Sequence, residues 1–124
     1  DVSWHVESWS QFKLAIQDVN ADPGLLPNYR LSYAAVDSGA TAMDALKGAS
    51  QLIADGVVGI VGLANEFFVL GPSVYSSAMQ TPILSPYSTS TENSNKDKYP
   101  YLFRTTPSDA TMLRGLAVLV KSLS

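Results

Sequence analysis

The residues of this chain that could do chemistry fall in a few short stretches. Ser85, Ser88, Thr89, Ser90 and Thr91 set many small hydroxyl donors in one loop, a set that suits capture of a carboxylate or a sugar. A surface loop has the same composition. Glu66 stands beside Phe67 and Phe68 and reads either as a desolvated acid or as a solvated loop carboxylate. Trp9 falls on an apolar helical stripe and reads as core, whereas Trp4 precedes that stripe and reads as a ligand platform or a surface anchor. His5 is the only histidine and cysteine is absent. That removes His-clustered and Cys-based metal sites, disulfides and thiolate nucleophiles, and leaves a Ser-His-Asp arrangement one possible base. His5 itself reads as an ordinary polar residue near a helix start. No serine has the G-x-S-x-G surroundings of a nucleophile elbow. Gly56, Gly59 and Gly62 match neither the dinucleotide fingerprint nor the Walker loop and read as close-packing positions in a buried strand. The remaining general-base candidates are scattered carboxylates, so the expectation is a protein that is not an enzyme, with no cofactor and no metal.

The scale of the chain narrows what those residues can serve. Its 124 residues are one small domain or a piece of a larger one. Apolar residues make up 46%, enough for a core, while charged residues stop at 15%, so Ser, Thr and Asn must carry much of the surface. The net charge is −3 and no basic run exceeds Lys96-Asp97-Lys98, which argues against a nucleic-acid partner. The apolar stretch Val57 to Ala64 is far short of the ~20 residues a membrane-spanning helix requires. Asp1 opens on ordinary sequence with neither a basic nor an apolar leader segment.

Positioning elements follow from periodicity. Trp9, Phe12, Ala15, Ile16 and Val19 share one helical face and Asp22-Pro23-Gly24 stops the pattern, giving a helix from about Ser8 to Asn20. Tyr29 to Val36 is a strand-length run of aromatic and branched residues closed by Asp37-Ser38-Gly39. Thr41 to Asp44 has the capping-box form ahead of a helix that ends at Gly56. Val57 to Val61 reads as a central parallel strand apolar on both faces. Pro72 suits a first helical turn, so a short helix is expected near Pro72 to Met79. Pro82 to Ser85 and Tyr101 to Thr105 are short strands separated by the polar loop Ser85 to Lys98, and Ser108 caps a last helix facing with Leu113, Leu116, Ala117, Val120 and Leu123. Strands alternating with helices predict an α/β fold, a sandwich with a parallel sheet. Ligands of such sheets gather beyond the carboxyl ends of the strands, here Asp37 to Ala40, Gly62 to Phe68 and Ser85 to Thr91.

Four stretches together resemble a known family. Ala15 to Tyr29 (AIQDVNADPGLLPNY), Val36 to Gly39 (VDSG), Ile53 to Gly62 (IADGVVGIVG) and Lys98 to Asp109 (KYPYLFRTTPSD) are similar to the receptor ligand-binding region. This is the type I periplasmic-binding-protein module of class C G-protein-coupled receptors, receptor guanylyl cyclases and ionotropic glutamate receptors. The likeness runs from about Trp9 to Ser122. It implies a two-lobed clamshell that binds a small molecule between lobes and signals by closure, with residues 1–124 as a partial N-terminal first lobe of a three-layer sandwich. Such lobes begin with a central strand ahead of the first helix, and nothing before Trp4 can serve as one. The lobe is therefore expected to be incomplete, its first central strand supplied by preceding residues or another chain, with unpaired backbone and apolar helix faces costing several kcal/mol.

The resemblance also implies a site. First-lobe ligand contacts in amino-acid-binding receptors match Trp4 or Ser8, Glu66, and Thr89 with neighbouring Tyr87 and Ser88. Thr89 fits its expected type. Glu66 stands where a hydroxyl normally receives the ligand carboxylate and would repel it. Many relatives have a disulfide between the positions matched by Ala40 and Asn65, and neither is cysteine here. Gly71-Pro72 falls where relatives run a continuous helix, so Leu63 to Leu70 is expected to be a rebuilt loop carrying Phe67 and Phe68. The expected ligand is therefore something other than a free α-amino acid, such as a cationic or neutral small molecule. The leading reading is a ligand-sensing ectodomain on the extracellular face of a membrane, as part of a larger anchored protein. Its rivals are a soluble periplasmic solute-binding protein of an uptake transporter and a dimerisation or assembly module that binds a partner lobe through helices 41–54 and 72–79.

Overall fold

The computed structural model describes residues 3–123, and the side-chain surroundings of these other than 3–6 and 66. The chain divides into two compact units, Asp1–Ala34 and Ala35–Ser124, and each is taken by itself.

The first unit is built on helix α1, Ser3–Ala21, which starts well before the expected Ser8. Its apolar stripe collects an aromatic group. Trp9 stacks on Phe12 at 5.7 Å between ring centroids, and Tyr33 meets both edge-on at 5.4 and 5.9 Å. Trp9 is nevertheless 39% exposed, so it is a surface ring leaning on two others and not the core residue its position predicts. The expected strand Tyr29 to Val36 does not form among the described residues. A strand exists only where a second one satisfies its backbone. Here the Asn20 side chain takes that place at Leu31, accepting from its N–H at 2.7 Å and donating to its carbonyl at 2.9 Å.

The second unit runs α2 (Ala42–Ala54), β1 (Ile60–Val61), α3 (Glu66–Ala78), β2 (Ile83–Ser85), a 3-10 turn (Thr91–Ser94), β3 (Leu102–Arg104) and α4 (Asp109–Leu123). The three strands are parallel in the order β1-β2-β3, so this part of the chain is α/β with a parallel sheet. Ile60, Ile83 and Leu102 are in register across the strands and buried, joining Ala49 and Ile53 of α2, Val69 of α3 and Tyr99 in one core. Alternation along each strand puts the next residues on the other face. Val61, Leu84 and Phe103 pair in register there at 56%, 36% and 49% exposure. Helices α2 and α3 thus cover one face of the sheet, and α4 has no buried residue.

Two sequence expectations for this unit are corrected. Strand β1 is only Ile60–Val61, since Val58 is exposed and finds no partner on which to build a longer central strand. The rebuilt loop Leu63 to Leu70 is absent: α3 is continuous from Glu66, with Pro72 inside it and not in its first turn. Asn65, of the type that caps helices, accepts from the Phe67 N–H at 2.9 Å. Gly71 has nothing within 4 Å of where a Cβ would stand, which eases the restriction proline puts on the residue before it. Beyond Pro72, the Ser73 hydroxyl donates to the Val69 carbonyl at 2.6 Å, an added bond beside the ladder position proline leaves open.

The cap of α2 is as the sequence predicts. Thr41 Oγ1 accepts from the Asp44 N–H at 3.1 Å and donates to the Asp44 carboxylate at 2.7 Å. That hydroxyl is the main reason the Asp44 carboxyl is held below its ordinary value of 3.8, with Lys47 and nearby backbone N–H groups assisting against desolvation. A carboxyl whose pKa is depressed on folding contributes stability above its unfolded value and loses it as pH falls through the folded one. Thr41→Val is therefore expected to raise the Asp44 titration midpoint toward 3.8 and to reduce the acid sensitivity below that pH, both readable by NMR titration of the side-chain carboxyl.

Candidate functional site

The carboxyl ends of the three strands lie side by side, and each continues into a turn that another strand holds. After β1 the backbone of Leu63 takes a positive φ of 59°, unusual for a branched side chain. The conformation is secured from β2: the buried Ser85 hydroxyl donates to the Leu63 carbonyl at 2.9 Å, and the Gly62 N–H to the Leu84 carbonyl at 3.1 Å. After β2, Thr105 just beyond β3 donates its N–H to the Ser85 carbonyl at 3.3 Å, and Asp109 at the head of α4 donates its N–H to the Thr89 carbonyl at 2.9 Å. The loops Gly62 to Glu66 and Ser85 to Thr91 are thus joined at the strand ends, where open parallel sheets bind ligands.

The hydroxyl cluster divides within these loops. Ser85 is committed to Leu63. Ser88 is 1% exposed and its hydroxyl receives the Asn93 amide. Ser90 caps the 3-10 turn by accepting from the Glu92 N–H at 3.3 Å. Thr89 is half-buried and Thr91 exposed, and neither hydroxyl has a bond among the described residues, so these two are the uncommitted members of the cluster, with Thr89 the one held inside the loop. Two aromatic side chains flank the region from separate elements, Tyr87 at 54% and Phe67 at 75% exposure. Of the other sequence candidates, Glu66 opens α3 and the side chains of Glu66 and Trp4 lie outside the described residues. Ser8 is exposed on α1, in the other unit. Among the described residues no three of His, Cys, Asp and Glu converge, and no helix is long and apolar enough to cross a membrane.

Sequence reasoning missed the residue that organises the loop. Arg104, the last residue of β3, donates through Nη1 to the Ser90 carbonyl at 2.8 Å and the Ser88 carbonyl at 3.3 Å, and through Nη2 to the Ser94 hydroxyl. Its guanidinium brackets Thr89 from both sides in sequence. A signal existed in its place at the carboxyl end of a predicted strand, but its partners are backbone carbonyls 14 and 16 residues away, which spacing cannot show.

Parallel strands with joined carboxyl-end loops are compatible with part of a ligand-binding lobe, and the comparison with known families shows the family. The sequence profile of the receptor family ligand binding region matches residues 11–124. The chain belongs to that family. Relatives within the receptor ligand-binding family include glutamate receptor 3.4 of Arabidopsis thaliana, 30% identical over 105 residues, covering 85% of this chain and 11% of that protein. Glutamate receptor 3.2 of the same plant is 25% identical over 108 residues, covering 87% of this chain and 12% of that protein. The chain therefore spans about a tenth of the length of these receptors.

Proposed function

We propose that this receptor ligand-binding region is part of the first lobe of a small-ligand-sensing ectodomain that takes its ligand between two lobes and signals by closure. It is not an enzyme and uses no cofactor, and it works outside the cell as part of a membrane-anchored receptor. The observation that supports this reading is the joined pair of loops at the strand ends, with the uncommitted Thr89 hydroxyl held between tethered neighbours. Thr89 supplies the directional polar contact, while Phe67 and Tyr87 offer apolar surface for the body of the ligand.

The relatives carry glutamate in their names, yet this chain has Glu66 where the family places a carboxylate-receiving hydroxyl. Glu66 begins α3, a position where an acidic residue is itself favoured by the helix dipole and where a ligand carboxylate would meet a like charge. The reading is therefore a neutral or cationic ligand and not a free α-amino acid. Calorimetry on the two-lobed protein containing this lobe is expected to show no micromolar uptake of glutamate or GABA. Binding of either that survives Glu66→Ala and is lost in Thr89→Val would overturn the ligand class. Conversely, a small molecule that co-purifies with the protein should be released by Thr89→Val, and retention in that variant would overturn the site.

A second reading, an assembly module, has its own observation. Met43 on α2 and Val74 on α3 are 59% and 58% exposed, and Met79 at the end of α3 is 51% exposed, on the two helices a partner lobe would meet.

A further inference from the structure

Between Thr89 and the end of β3 in sequence the chain forms a cavity of about 290 Å³ lined by Asn93, Ser94, Lys96, Leu102, Phe103 and Arg104. None of the residues assigned to the ligand cleft lines it. Two of its walls are cations, in a chain whose net charge is −3. Neither has an acidic partner: the ion pair found among the described residues is Lys98 with Glu92 at 2.8 Å, which leaves Lys96 and Arg104 without a carboxylate within 4.0 Å. Lys96 instead donates to the Leu102 carbonyl and lies over the Phe103 ring at 4.5 Å. Those contacts fix its ammonium while leaving N–H donors unused. Arg104 likewise retains its Nε–H and one Nη2 hydrogen after its three bonds to the loop. Asn93 adds a further polar group. It is 3% exposed, its amide bonds Ser88, and its Oδ1 is buried with no partner.

We propose that this cavity binds a small oxyanion, held between the Lys96 ammonium and the free edge of the Arg104 guanidinium with the Ser94 hydroxyl beside them. Two preorganised cations without a counter-charge, together with a hydroxyl, form the donor set that oxyanions select. A bound anion would also hold Arg104 against the loop that contains Thr89. The assignment does not depend on the identity of any cleft ligand.

The test is titration of the whole receptor ectodomain with inorganic phosphate, and separately with succinate, at constant ionic strength, followed by calorimetry. Saturable binding of phosphate identifies a free inorganic anion as the source, and of succinate alone a small organic acid. Lys96 is exposed, so Lys96→Gln keeps the fold, and it is expected to weaken the bound anion about tenfold. Lys98→Gln, which removes an equal charge two residues away, is expected to leave the affinity unchanged. Absence of saturable binding of both anions, or an equal loss in the two lysine variants, overturns the proposal.

Discussion

Ile83→Ala is expected to lose roughly 3–4 kcal/mol of unfolding free energy, the size of a buried branched-to-alanine truncation that leaves a cavity. Ile83 is 0% exposed, stands on the middle strand, and is flanked in register by Ile60 and Leu102. Both neighbours across the sheet are themselves buried, so neither can turn into the hole without opening its own packing. The control is the next residue along the same strand. Leu84 points to the opposite face and is 36% exposed, so Leu84→Ala is expected to cost about 1 kcal/mol or less. Urea denaturation of the pair reads the difference directly. A large loss at 83 and a small one at 84 would mean that only the α2 and α3 side of the sheet is a packed interior. Equal losses would mean that the row Val61, Leu84 and Phe103 is covered in the intact protein, and the one-sided core would be wrong.

That asymmetry also separates what the sequence could reveal from what it could not. The stretch Ile60 to Val61 and the strands at Ile83 and Leu102 were legible because β-branched and apolar runs bounded by Gly and Pro have few other uses. The Thr41 cap was legible because a hydroxyl three residues before a carboxylate satisfies a helix start by local chemistry alone. Tyr29 to Val36 carries an equally good strand pattern and is not a strand, because pairing is a relation between segments, and at Leu31 the backbone groups are taken by the Asn20 side chain. Pro72 misled in the opposite direction. The ordinary rule puts a proline in the first turn of a helix, yet Gly71 before it and the Ser73 hydroxyl after it let α3 pass through it. The cap that marks the true start is Asn65, whose side chain accepts from the Phe67 N–H. In the candidate site, the two loops were legible from their place beyond the carboxyl ends of strands. The division of the hydroxyls into committed and spare was not, because it depends on which carbonyl each one reaches.

Arg104→Ala is expected to cost about 2–3 kcal/mol, discounted for partial exposure from the sum of its charge-assisted bonds, and to act on the loop more than on the core. The guanidinium is half-buried and gathers two carbonyls and a hydroxyl from Ser88, Ser90 and Ser94. Without it those acceptors lose a planar, multi-pronged donor that no neighbouring side chain can replace. Arg104→Lys restores the charge but has a single ammonium that cannot span all three, so it is expected to recover less than half of the loss. Hydrogen exchange supplies the discriminating readout. Amides from about Ser88 to Ser94 should exchange faster in Arg104→Ala, whereas Ile60 and Ile83, whose N–H groups bond to the Pro82 and Tyr101 carbonyls, should keep their relative protection. Uniform acceleration throughout the sheet would make Arg104 a general stabiliser and remove its positioning role. Selective loosening of the loop would tie the orientation of Thr89, and with it the capacity of the strand ends to hold a ligand, to a residue on the far strand.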